Sequence, residues 1–397
     1  MLLKALEILG IKQRRITPRH HIRVARIGYF LAGFSIACWA PLIPYVQVIL
    51  NLSTADVTKL VFCMGAGSIC GMILAGFLTQ KVGSKITYAL SSLGTSLTLV
   101  ILSFIPSFHI VFITLLFFGI SVGCLEVGIN IYGAFLERRY KLRLMSPLHA
   151  YYSLGEVLGS ALIIILLSLN LPPHFAITSL IAILYLTAVY YVPCTLNIKD
   201  NKNCIQNKNK KFTLPCYPVT YLALITALIF IVGGAMVDWS GLYVSIEGNI
   251  SLKYAAFGYT LVSLCMLICR IYGSKIIFSF GPFKTAFYGA VMCSVGLFIV
   301  VLFPNLIMMF IGFCCIGLGM SNITPLSLST AAKQNKMPIV SAVSFISVSG
   351  YTALLLGPAL LGTIAQLFTL KGTFIFLGLI TVITCLLIFL IRKEYEN

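Results

Sequence analysis

Charge is what this sequence has least of. Only 10% of its 397 residues are Asp, Glu, Lys or Arg, against about 25% in soluble domains. So few charges cannot cover a water-facing surface of this size, and the alternative solvent is lipid. Other absences narrow the field further. The 13 cysteines form no CxxC and lie near no paired histidine, so neither a metal nor another cofactor is expected. No GxxxxGK[ST] occurs, which excludes ATP-driven work by this chain alone. No nucleophile–base–orienter set is visible, which argues against an enzyme. Residues 1–26 have no long apolar core and no small-residue cleavage site, so they are not a cleavable signal.

What remains is apolar sequence with a basic bias. Hydrophobic residues make up 59% of the chain, and 28 basic residues against 10 acidic ones give a net charge of +18. Such a charge invites a nucleic-acid reading. The basic residues instead fall in short connectors between apolar runs, with no basic folded domain, so nucleic-acid binding is not expected. Residues 1–26 hold Lys4, Lys12, Arg14, Arg15, Arg19, Arg23 and Arg26, which reads as an arm lying on anionic headgroups. Cysteines inside the apolar runs, such as Cys63, Cys70, Cys265 and Cys314, act as small hydrophobes. Cys194, Cys204 and Cys216 lie in the central polar loop and are expected as free thiols in a reducing cytosol.

A spanning helix needs about 20 mostly apolar residues. Such stretches run at 27–50, 57–80, 86–105, 108–136, 146–169 and 173–193. A second set follows at 218–245, 254–278, 284–303, 306–331, 339–367 and 371–391. Turn-forming clusters punctuate them, as at Pro106-Ser107, Leu171-Pro172-Pro173 and Pro304-Asn305. Lys and Arg favour cytoplasmic loops. With the N-terminus inside, all but Lys59, Lys253 and Lys371 of the 28 basic residues fall on the cytoplasmic side, and both termini face the cytoplasm of a multi-pass protein of the inner (cell) membrane.

The expected class is therefore an all-α membrane protein of about twelve transmembrane helices in two pseudo-symmetric six-helix bundles. Its divisions are a basic arm (1–26), an N-terminal bundle (27–193), a cytoplasmic linker (194–217), a C-terminal bundle (218–392) and a tail (393–397). A weak repeat supports the division. Trp39 and Trp239 both sit in the first helix of a half, Pro106 and Pro304 both close the third, and Gly119 and Gly317 share a place in the fourth. Parallel six-helix repeats around a midplane site are an organisation of secondary transporters.

These features resemble the major facilitator superfamily across nearly all of residues 27–392. The segment Gly76-Phe-Leu-Thr-Gln-Lys81-Val-Gly83-Ser-Lys85 resembles that family's loop between helices two and three, with Gln80 where the pattern has Asp. Narrower segments resemble the MosC-type, rhizopine-permease-like branch, which is related to sugar permeases. They are Trp39-Ala-Pro-Leu-Ile-Pro44, Met145-Ser-Pro-Leu-His149 through Gly155, Gly234-Ala-Met-Val-Asp-Trp-Ser240, and Gly350-Tyr351 with Gly357-Pro358. Gly233 stands where relatives often carry Glu. The resemblance implies a cytoplasmic loop and gate at Gly76, Lys81, Gly83 and Lys85, and the charge pattern sets Arg138 and Arg139 beside it on the same side. It also implies an acidic residue at Glu126 followed by Asn130.

Ionisable residues inside spans are costly and are functional candidates by default. On helix four, Gly119, Gly123, Glu126, Asn130, Gly133 and Glu137 recur at gaps of 4, 3, 4, 3 and 4, which is one helical face. The expectation is a cavity wall with Glu126 as proton carrier or substrate ligand; a carboxylate fixed by a neighbouring helix is the alternative. Gly234, Asp238, Gly241 and Ser245 repeat the spacing in helix seven, with Trp239 turned about 100° away. Asp238 is a ligand or half of a structural pair; Trp239 and Trp39 are ligand-facing rings or interfacial anchors. On helix five, His149, Ser153, Glu156 and Ser160 share a face, and a histidine there could relay protons or merely bond a neighbouring loop. Gly155 and Gly159 read as packing. Asn322 and Tyr351 are polar handles for the second half, Gly357-Pro358 is expected to bend helix eleven, and Arg270 is placed in the cytoplasmic charge layer.

The sequence thus points to a secondary active transporter of a small polar solute of sugar or polyol type. It would work by alternating access as a monomer in the bilayer, with protons as the candidate coupling ion. Two alternatives stay open: an efflux antiporter for amphiphilic compounds, and a membrane receptor or structural protein without transport. Helix five lacks the Gly-Pro of many exporters, reading Gly155-Glu-Val-Leu-Gly159.

Overall fold

A computed structural model of the protein describes residues 17–39, 42–105, 107–191, 195–196, 215–249 and 257–396. The basic residues of 1–16, Lys199 to Lys211 of the linker, Cys194, Cys204, Pro106, Lys253 and the Ala40-Pro41 pair of the first motif lie outside the described residues.

Lipid offers backbone groups no partners, so an apolar chain spans it as helices whose hydrogen bonds are internal. The first half holds α1 (Pro18–Trp39), α2 (Ile43–Ile49), α3 (Thr54–Val82), α4 (Ser84–Ser103), α5 (Phe108–Tyr140), α6 (Met145–Ser168) and α7 (Pro173–Tyr191). The second holds α8 (Tyr217–Asp238), α9 (Ser240–Ile246), α10 (Phe257–Ile271), α11 (Gly273–Phe280), α12 (Pro282–Leu302), α13 (Leu306–Met320), α14 (Ile323–Lys333), α15 (Ile339–Leu390) and α16 (Arg392–Glu396).

Among the described residues, nine helices are long and apolar enough to cross a membrane, or ten with the bent pair α10–α11 taken as one span. Helix α15 carries two spans joined at Thr369, where φ 72° and ψ 168° break the helix. With α7, whose shorter apolar part is Pro173–Ala182, the tally reaches twelve. The expected bend at Gly357-Pro358 does not take the backbone out of helical dihedrals; within α15 only Thr369 leaves them. The first helix starts at Pro18 rather than 27, so Arg19, Arg23 and Arg26 ride on its opening turns. In the second half the first span is interrupted at its tryptophan, where Trp239 separates α8 from α9.

Phe278 (80% exposed), Val48 (74%) and Leu367 (70%) belong to a broad outward-facing apolar surface, which suits lipid and not water. Between helices, lipid supplies no hydrophobic driving force, so close approach by small residues does the packing. A side chain at Gly123 would collide with the Ser68 carbonyl of α3, and one at Gly119 with that of Met64. Gly155 and Gly159 of α6 lie against the backbone of Phe30 and Phe34 in α1, as their spacing suggested.

The halves meet in a seam on the side of the molecule that carries α16 and the end of α5. Gln80 Nε2 donates to Ser341 Oγ at 3.1 Å. Arg138 donates to the Ala332 carbonyl at 3.2 Å and to Asn335 Oδ1 at 2.6 Å. Ser329 Oγ donates to Glu137 Oε1. Ser274 Oγ donates to the Arg143 carbonyl at 2.6 Å, and Arg143 lies over the Phe278 ring at 5.7 Å.

Candidate functional site

The middle of the seam gathers polar groups from both halves. Glu126 of α5 is 3% exposed. Its Oε1 accepts a hydrogen bond from the Tyr152 hydroxyl of α6 at 2.6 Å, while its Oε2 is buried with no hydrogen-bond partner. Tyr351 of α15, from the second half, faces the same carboxylate. Helix packing aims these groups: the glycines N-terminal to Glu126 draw α5 onto α3, and those on α6 draw it onto α1.

Glu156, one turn beyond Tyr152, lies within electrostatic range of both Glu126 and Arg270. Arg270 Nη1 donates to Ser153 Oγ of α6 at 2.8 Å, and Nε donates to the Ser321 carbonyl at 3.1 Å. The guanidinium therefore ties the halves together within electrostatic range of Glu156. This differs from the placement of Arg270 in the cytoplasmic charge layer. The reason is local. Helix α10 ends one residue later and turns by 65° into α11, and the break between α13 and α14 frees the Ser321 carbonyl as an acceptor.

His149 lies in the field of Arg270. Its ring meets Tyr29 edge-on at 5.1 Å, and its Nε2 is buried with no hydrogen-bond partner. Asn322, at the start of α14, accepts from Ser146 Oγ at 2.5 Å and donates to Ser321 Oγ at 3.2 Å. Asn130 accepts from the Tyr29 hydroxyl at 2.8 Å.

The structure thus brings Glu126, His149, Glu156, Arg270 and Tyr351 together, with Asn322 and Asn130 bordering them. The cavity wall expected along one face of α5 is not open along its length. Gly119 and Gly123 are buried against α3. Glu137 is engaged at the end, where Oε2 accepts from the Leu144 and Met145 amides at 2.6 and 2.8 Å. Asp238 stands apart, exposed at the end of α8 with no side-chain hydrogen bond among the described residues. Trp39 is 3% exposed inside the apolar packing of the first half, and Trp239 reaches toward Gly362. The indole nitrogen of each is buried without a partner.

Of the loop residues, Gly83 needs its glycine: φ is 92° where α3 gives way to α4. Gly76 abuts Ser344 of the other half, Lys81 lies over Phe77, and Arg139 is exposed at the end of α5. Tyr152, Tyr29, Ser146 and Ser321 escaped sequence reasoning. Tyr152 carried a usable signal, since it sits three residues after His149 and four before Glu156. Tyr29 carried none.

A helical protein in two halves, with polar groups converging where the halves meet, finds its kin in known proteins. The model of the Major Facilitator Superfamily matches residues 26–337. The chain belongs to the major facilitator superfamily. It is 30% identical over 370 residues to an uncharacterized MFS-type transporter of Yersinia pestis, covering 92% of this chain and 94% of that one. It is 26% identical over 376 residues to the membrane protein MosC of Rhizobium meliloti, covering 94% and 91%. Its fold matches that of the Escherichia coli fucose:proton symporter FucP in the outward conformation, with a TM-score of 0.77 at 16% identity over 95% of this chain and 99% of that one. The protein is accordingly a multi-pass membrane transporter of this superfamily, with the MosC-type resemblance present in its relatives.

Proposed function

We propose that the protein is a secondary active transporter of a small polar solute of sugar or polyol type, moved by alternating access and coupled to protons. One observation carries this: the Glu126 carboxylate is buried at the junction of the halves, bonded by a tyrosine from one half and faced by a tyrosine from the other. A carboxylate so placed has a strong reason to bind and shed a proton as its surroundings open and close, because its charge is costly in a desolvated setting. Tyrosine hydroxyls and rings suit the hydroxyls and apolar faces of a sugar-like solute.

Arg270 balances Glu156, so the site need not carry two uncompensated negative charges at once. His149 lies in the field of Arg270 and Asn322 bonds Ser321, whose carbonyl Arg270 engages. The fold's likeness to a fucose:proton symporter supports both the cargo class and the coupling. The positive-inside pattern supports a cytoplasmic location for the seam and both termini. The seam would then be the closed cytoplasmic side of an outward-facing state.

The test is uptake by proteoliposomes of labelled sugars and polyols under an imposed pH gradient. Gradient-driven accumulation of at least one such solute, lost in Glu126→Gln, is the expected result. Accumulation that ignores the gradient, or that survives Glu126→Gln at full rate, overturns proton coupling through Glu126.

A further inference from the structure

A second polar feature lies on the seam side, away from Glu126. A cavity of about 310 Å³ opens between the halves there. The first half lines it with Glu137, Arg138, Lys141 and Arg143, and the second with Ser329 and Lys333. Glu137 is the only acid in the lining, and both its oxygens are taken, by the Leu144 and Met145 amides and by Ser329. Arg138 and Arg143 reach only neutral groups, the Ala332 carbonyl and Asn335 for one and the Phe278 ring for the other. Lys141 and Lys333 have no ion-pair partner among the described residues; the three ion pairs lie elsewhere. Four basic residues from two separate bundles thus converge on one cavity that holds a single carboxylate, and that carboxylate is already engaged by neutral donors.

Two independent observations point the same way. Lys141 ends α5 in a left-handed conformation, φ 52° and ψ 38°, where glycine or asparagine is favoured. Helix α12 also begins at the cavity with Pro282, its N-cap Gly281 offering no side-chain cap, so its positive end adds to the field. The general preference of Lys and Arg for one side of the membrane explains cations on that side. It does not explain their convergence between halves or the strained backbone of Lys141.

We propose that this cavity binds a phosphate-type anion, bridging Arg138, Lys141 and Arg143 of the first half to Lys333 of the second. Guanidinium forks and ammonium groups are the natural partners of phosphate oxygens. The anion comes from one of two sources, a soluble phosphate compound or a phospholipid headgroup. Because the two sets of cations separate when the seam opens, the anion binds the closed seam preferentially. At 100 times its Kd an anion that binds only the closed seam raises the ratio of closed to open protein about 100-fold.

The experiment uses the full-length protein in dodecyl maltoside with pyrophosphate as the probe, read by calorimetric titration and by hydrogen exchange. The variant is K141N/K333Q, in which asparagine suits the left-handed position. Expected are saturable pyrophosphate binding, weakened at least about tenfold in the variant, and slower exchange in peptides covering both 137–146 and 323–335. If pyrophosphate does not bind but added phosphatidylglycerol raises the melting midpoint of the native protein and not of the variant, the headgroup is the source and the site stands. Binding that is equal in both proteins, protection confined to one half, or no response to either probe overturns it. None of these readouts requires transport, so failure of the transport assay and failure of the anion site are distinguishable.

Discussion

The middle of α5 and the outer end of α8 each present one carboxylate on a stripe of small residues. In both stripes the polar and small positions recur at gaps of 4, 3 and 4. Around Glu126 the small residues are spent on helix contact, which buries the carboxylate against Tyr152 and Tyr351. Around Asp238 the helix stops, Trp239 interrupts it, and the carboxylate is left exposed. The same spacing therefore produces a confined acid in one half and a surface acid in the other. What separates them is depth along the span and what the neighbouring helix puts opposite, neither of which periodicity encodes.

Experiments can sharpen or break that contrast. The greatest effect is expected from Gly123→Leu, which drives a side chain into the Ser68 carbonyl; the purified protein should lose its single peak on size exclusion. Glu126→Gln should fold normally yet cut gradient-driven uptake about 100-fold, since a charge-assisted hydrogen bond is worth about 1.5–3 kcal/mol, and should flatten the pH dependence of transport. Arg270→Ala leaves Glu156 without its cation and the Ser321 carbonyl without its donor. Its thermal unfolding should show a loss of about 2 kcal/mol, below the cost of breaking a fully buried pair because the group is partly exposed. Tyr152→Phe, which keeps the ring and removes one hydrogen bond to Glu126, should lower uptake about tenfold. Asp238→Asn should change transport and stability least, within about 0.5 kcal/mol as for an ordinary surface position. A collapse of transport in Asp238→Asn with little change in Glu126→Gln would invert the comparison.

Much of the fold was legible because lipid imposes a length rule and a charge rule at once. The apolar runs located the spans. The interruptions inside spans were not legible. Helix breakers do stand beside two of them, Gly273 after Tyr272 and Pro325 four residues beyond Ser321, whose carbonyl it cannot engage, but glycine and proline are tolerated inside spans and do not by themselves mark a break. For the site, Glu126, His149 and Glu156 stood out by their cost in lipid, and they do meet. Arg270 was misplaced because an arginine near the end of an apolar run looks the same whether it turns outward or inward. Asp238 stood out by the same cost and does not join them. Tyr152 was legible in its helical spacing from His149 and Glu156, whereas Tyr29 was invisible because tyrosine is common in spans and only its partner across the helix interface, Asn130, marks it.

The joint at Thr369 has a mechanical corollary. A single residue outside helical dihedrals separates the last two spans, and it is flanked by outward-facing Leu367 and Phe368. With no slack between them, these spans form one stiff hairpin, so a tilt of the rod bearing Tyr351 must be inherited by the rod that follows. The outer scaffold of the second half would then swing as a passenger whenever that tyrosine leaves or rejoins Glu126.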